Sequence, residues 1–148
     1  MISIHEFQYL PDEYESEKAS NSYLMSLIGI TMVIVFPVIH LLSSLFFYIG
    51  NRKGSWFVRW HCIQALALQT VIAIFNVVSF TWTLLILFGP AEITNRYIGY
   101  MLTVIAFNIV CFIFTIYSTV QTRKGRHVYW YLLGGVTDLL CKPDIQGR

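Results

Sequence analysis

The chain has 148 residues, 56% of them hydrophobic and 12% charged, with a formal net charge of +2. A soluble domain carries about 25% charged residues, so these values exclude an ordinary soluble globule. They also leave too little positive charge to argue for a nucleic-acid partner. Asp, Glu, Lys and Arg are absent from three long stretches, 19–51, 60–91 and 97–122. Each exceeds the ~20 residues that a helix needs to cross a bilayer core of ~30 Å. The chain therefore reads as an integral membrane protein.

Residues 1–22 hold Glu6, Asp12, Glu13, Glu15 and Glu17 against Lys18. A cleavable signal peptide begins with a basic region, so this stretch reads instead as an acidic polar tail, partly disordered. The first spanning helix is expected over about 23–48, with N-caps among Ser20–Ser22 and a stop at Gly50-Asn51. Pro37 removes one backbone donor and crowds the carbonyl of Val33, which predicts a kink. A short basic loop with Arg52 and Lys53 follows. The second helix is expected over 56–88, spanning from about 58, with its first turns at headgroup level. Gly89-Pro90 ends it, and the third span runs over about 97–121.

The remainder carries Arg123, Lys124 and Arg126, then ten apolar residues before Asp138. That run is too short to span. Val128, Leu132, Gly135, Val136 and Leu139 share one helical face, which predicts an interfacial or re-entrant helix over about 127–141. Residues 142–148 form a tail. The expected class is all-α: a polytopic bundle of three spans within a membrane domain at 23–141. Counting Lys and Arg puts the 50–60 loop and the C-terminus in the cytoplasm and the N-terminus outside, with a bacterial inner membrane as the expected residence.

Polar residues recur at helical spacing. Gln69, Asn76, Ser79 and Thr83 lie on one face of the second helix, and Asn108, Cys111, Thr115, Ser118 and Thr122 on one face of the third. In lipid such stripes face one another and hydrogen-bond across helices. Interhelical bonding is the preferred reading over a wet conduit, because no acid, Lys or Arg lies within the cores. His40 is the one intramembrane titratable group that stands out. A neutral imidazole bonded to Gln69, Asn76 or Asn108 is preferred to a proton relay or a haem ligand. Three cysteines without a CxxC suggest neither a disulfide framework nor zinc. No cofactor is expected.

Trp56, Arg59, Trp60, His61 and Gln64 form the most distinctive cluster. Trp and Arg suit an interfacial anchor, but that does not explain why His61 and Gln64 enter the membrane together. The run Trp56-Phe57-Val58-Arg59-Trp60-His61-Cys62-Ile63-Gln64-Ala65-Leu66 resembles the family of the twenty-kilodalton Tic component of the chloroplast inner envelope and its small bacterial relatives. Arg123-Lys124-Gly125-Arg126, Tyr129-Trp130-Tyr131 and Gly134 are similar to that family's C-terminal pattern. The resemblance covers about 41–140 and implies a helical subunit of a protein-import translocon, with Arg59, His61, Gln64 and Ala65 as family positions.

The expected function is thus a non-enzymatic subunit or accessory factor of a larger membrane complex, concerned with protein translocation or assembly. Lipid and other membrane subunits, or further copies of the chain, are the expected partners. Arg52, Lys53, Arg123, Lys124 and Arg126 would meet lipid or a partner's acids. The alternative is a small-solute channel formed by oligomers around His40, Gln69, Asn76 and Asn108. An enzyme is not expected, since no nucleophile stands beside a base and no carboxylate pair or phosphate loop is present.

Overall fold

The computed structural model describes residues 2–5, 7, 9–28 and 39–141. Among these, two strands and five helices follow in the order β1 (Ile2–His5), α1 (Glu13–Ile28), α2 (Ile39–Asn51), α3 (Trp56–Phe88), α4 (Asn95–Arg123), β2 (His127–Trp130) and α5 (Gly134–Leu140). The class is mostly helical, with a small sheet that the all-α expectation did not include.

The acidic segment 1–22 is not a disordered tail. Asp12 accepts from the amide of Glu15 at 2.7 Å and opens α1. Glu13 and Glu15 then sit in its first turn, where the helix dipole favours negative charge. The buried face of α1 is Ser16, Ala19, Ser20, Tyr23 and Ser26. These small residues three or four apart allow close packing against α3 and α4, and their hydroxyls turn back onto the helix's own carbonyls, as Ser20 does to Glu17 at 2.8 Å. Of the helix expected over 23–48, residues 23–28 lie in α1 and residues 39–48 in α2. The predicted kink at Pro37 lies outside the described residues.

The serine before α3 caps it. Ser55 accepts from the amide of Val58, after a turn closed by Gly54 on Asn51 at 2.9 Å. Thr94 caps α4 in the same way. Gly125 ends α4 at φ 72, a left-handed conformation that favours glycine, and its amide bonds Thr122. Helices α3 and α4 are long and apolar enough to cross a membrane.

The strands pair antiparallel, with Ile2 opposite Trp130 and His5 opposite His127. Among the described residues two helices, α3 and α4, are candidate spans, against the three expected. The predicted interfacial helix over 127–141 is also replaced, by β2, a turn and the short α5. Leu132, Val136 and Leu139 are exposed rather than packed on the bundle.

The sheet, α1, α5 and the first three turns of α3 form a cap on the α3–α4 hairpin. Its core holds Ala19, Phe57, Val58 and Cys62, with Phe7, Phe47 and Tyr48 packed around them. Beyond it the hairpin exposes Ile74, Val78, Leu85, Ile105, Ile109 and Ile113, the surface of a protein whose solvent is lipid.

Candidate functional site

Two polar constellations stand out: a buried network in the cap and a groove between α3 and α4.

The network begins at Gln64, which is fully buried. Its Nε2 donates to the Tyr23 hydroxyl at 2.7 Å and to the Val128 carbonyl at 3.0 Å. Its Oε1 accepts from the Trp130 amide at 3.2 Å. The backbone carbonyl and amide of β2 thereby fix the orientation of the side-chain amide. One Gln64 side chain thus joins α1, α3 and β2.

That orientation propagates. The Tyr23 oxygen accepts from Gln64, so its own hydrogen is available to His61 Nδ1, 2.9 Å away. His61 then carries its proton on Nε2, which faces His127 Nδ1 at 3.4 Å. His127 in turn carries its proton on Nε2. A directional chain of hydrogen bonds runs from Gln64 through Tyr23 and His61 to His127, with no charge on any member.

Aromatic rings seal it. Trp60 lies edge-on to His127 with centroids 4.2 Å apart, and Phe57 edge-on to His61 at 4.5 Å. Phe7 packs on Trp56, Phe57 and His127. Asp138 of α5 accepts from Trp60 Nε1 at 2.7 Å and from the Tyr129 hydroxyl at 3.3 Å. Trp130 Nε1 donates to Ser118 of α4 at 2.9 Å. Gly134 allows α5 to approach so closely, because a Cβ there would fall on the Tyr129 ring.

Burial disfavours the charged imidazole of His127 and brings its pKa down to about 4. Asp138 pulls the other way, and His5 adds to the depression. Burial and the neighbouring Asp138 raise the Tyr129 phenol. The Cys141 thiol is raised chiefly by burial, with Arg59 beside it opposing. Among the described residues no group of three His, Cys, Asp or Glu side chains is placed to hold a metal ion.

The groove is lined from Gln69 to Leu87 on α3 and from Tyr97 to Thr115 on α4, with a volume of about 520 Å³. Asn76 and Asn108 bridge its floor with reciprocal amide bonds of 3.3 and 2.8 Å. Thr83 bonds Tyr97 at 3.0 Å and its own helix at Ser79, and Thr115 bonds Cys111. Gln69 Nε2 and Ser79 Oγ are buried without a partner among the described residues.

The structure therefore brings His61 and Gln64 together with two residues that sequence reading missed, Tyr23 and His127. Ala65 is buried beside them. Arg52, Lys53, Arg123, Lys124 and Arg126 are exposed around the cap. Arg123 reaches Glu17 at 3.4 Å, and Arg126 donates to Gln121 at 3.1 Å. Asn76 and Asn108 bond each other, and Gln69 bonds neither. His40 lies in the first turn of α2, and its side chain is outside the described residues.

A family model described as the magnetosome magnetite crystal formation protein family matches residues 18–135, about four-fifths of the chain. Neither a curated protein nor a solved structure matches it. The match corrects the reading of the Trp56–Leu66 run: the chain is not a Tic-type translocon component, and neither protein translocation nor the channel alternative stands. The geometry supplies the physical reason. His61 and Gln64 are occupied within the chain, holding α1 and β2 to α3, so the motif that suggested a translocon is an internal brace of the fold.

Proposed function

We propose that this chain, which belongs to the magnetosome magnetite crystal formation protein family, is a membrane-embedded factor that acts in crystal formation by binding and positioning rather than by catalysis. The observation that carries this reading is the family match over residues 18–135, which takes in both long helices and β2. The non-enzymatic part is supported by the chemistry of the buried cluster. Gln64, Tyr23 and His61 use their polar atoms on one another and on β2, so these three side chains are engaged in holding the fold.

The proposed topology is an α3–α4 hairpin with the cap at one membrane face. Arg52, Lys53, Arg123, Lys124 and Arg126 all lie at the cap end, and the positive-inside rule assigns that end to the cytoplasm. The turn at 89–94 then faces the compartment in which the crystal grows. Its partners are lipid along the exposed apolar faces and other proteins of the same membrane.

The test is deletion of the gene in its own cell, with the crystals measured by electron microscopy. Crystals of altered size, shape or number that return to normal on complementation support the reading. A crystal population indistinguishable from the parent's overturns it. Thiol labelling of Glu92→Cys and Lys124→Cys in intact compartments reports which end faces inward.

A further inference from the structure

We propose that the α3–α4 groove holds a single ester-linked lipid, with one hydrocarbon chain lying along it and an ester carbonyl accepting from Gln69 Nε2. The inference rests on α3 and α4 spanning the membrane.

Shape selects the occupant. The groove follows nineteen residues of each helix, eighteen rises of 1.5 Å or about 27 Å. Its 520 Å³ over that length make it long and slender. A helix, about 10–12 Å across with its side chains, is too broad for such a groove, so a second copy of the hairpin does not fit inside. One extended hydrocarbon chain does, and the length matches most of the ~30 Å hydrocarbon layer. The volume also lies in the ordinary range of ligand sites.

The walls are apolar apart from the stripe. Asn76, Asn108, Thr83 and Thr115 are already bonded, which removes their demand on an occupant. Two groups are left over. Gln69 is 1% exposed and its Nε2 has no partner among the described residues; Ser79 is 7% exposed and its Oγ has none either. An unpaired buried amide donor costs free energy that an acceptor recovers. Gln69 lies at the cap end of the groove, five residues before Ile74, the first large exposed apolar residue of α3. With the hydrocarbon layer beginning near there, a glycerolipid's ester carbonyls come level with Gln69. Ser79 lies about 15 Å further along the helix, where the occupant is a plain chain. There the small side chain leaves room.

The experiment uses the full chain, purified in mild detergent without added lipid, and native mass spectrometry with dioleoyl phosphatidylglycerol as the probe. About one ester lipid per chain is expected to survive delipidation. Gln69→Leu is expected to weaken retention about three- to tenfold, the range of one hydrogen bond. Ser79→Phe, which fills the groove, is expected to abolish it. Ile113→Phe on the outer face leaves it unchanged. A second measurement needs no variant: the ether-linked analogue, which lacks the carbonyl, competes several-fold less well than the ester lipid.

Equal retention by all variants identifies loose boundary lipid and overturns the proposal. So does equal competition by the ether analogue, a bound quinone, or a lipid-free homodimer cross-linked through the groove. Resistance of the chain to alkaline carbonate extraction is scored separately. Loss of that resistance refutes the spans, whereas a carbonate-resistant chain without lipid refutes the groove alone.

Discussion

The Tyr23 hydroxyl stands 2.9 Å from Nδ1 of His61, across 38 residues of chain, and both side chains are fully buried. The contact ties the helix that begins in the acidic segment to the first turns of the long membrane helix. Because Gln64 donates to the same hydroxyl, Tyr23 is at once acceptor and donor. Tyr23→Phe keeps the ring and removes both bonds, leaving Gln64 and His61 each with an unpaired buried group. The expected loss is about 1–3 kcal/mol. Thermal unfolding of the detergent-solubilised protein measures it, and an unchanged midpoint would show that the network carries no stability.

The pair Asn76–Asn108 is one polar contact between α3 and α4 in the groove, beside Thr83–Tyr97, and a double-mutant cycle isolates it. Each single Leu substitution strands one amide against apolar walls, whereas the double substitution strands none. The expected coupling is about 0.6 kcal/mol, with about 1.7 as an upper bound from comparable membrane helices. Additive single effects would mean that this pair contributes no coupling to the hairpin.

Gly134→Ala tests the close approach of α5 to the sheet. The new Cβ would lie inside the Tyr129 ring, so either the ring or the helix must shift. Overpacking of this kind costs about 1–3 kcal/mol. The displacement separates Asp138 from Trp60, so the near-ultraviolet signal of the tryptophans is expected to change and the C-terminal segment to become protease-sensitive. Retention of both properties would show that the segment tolerates the added methyl group.

The long helices were legible because their signal is local. Long apolar runs, with a stop at Gly89-Pro90, place the second helix at 56–88, where α3 lies, and the third at about 97–121 against Asn95–Arg123. The stripe from Asn76 to Asn108 was legible for the same reason, since helical spacing puts polar residues on one face. The cap was not. Residues 2–5 pair with 127–130, and no local pattern announces a partner more than a hundred positions away. The acidic composition of 1–22 argued for a polar tail, and the helix was started at Tyr23 with Ser20–Ser22 as caps, so the Ser16, Ala19, Ser20, Tyr23 and Ser26 spacing that buries α1 was cut in two. His61 and Gln64 were singled out without an explanation, and their partners Tyr23 and His127 come from other elements. The function lay further still from the residues, because a motif that braces a fold says nothing about what the fold is used for.

The network also predicts how stability depends on pH. His127 is buried and neutral, with a pKa near 4 against 6.5 in the unfolded chain. Around it stand His61 from α3, His5 from β1 and Asp138 from α5, together with the rings of Phe7, Trp60 and Tyr129. Between these two pKa values the unfolded state binds a proton that the folded state refuses, so stability rises with pH. The contribution is complete above about pH 6.5 and is lost as the pH falls towards 4. A gap of this size corresponds to about 3 kcal/mol, most of it lost between pH 6 and 4. Protonation would also place a second donor at the His127–His61 contact, where Nδ1 now accepts. Melting curves at pH 7.5, 6.0 and 5.0 are expected to show a progressive fall in the wild-type midpoint. His127→Gln, which removes the titrating group, is expected to flatten that slope. An identical slope in the variant would show that His127 does not set the pH sensitivity.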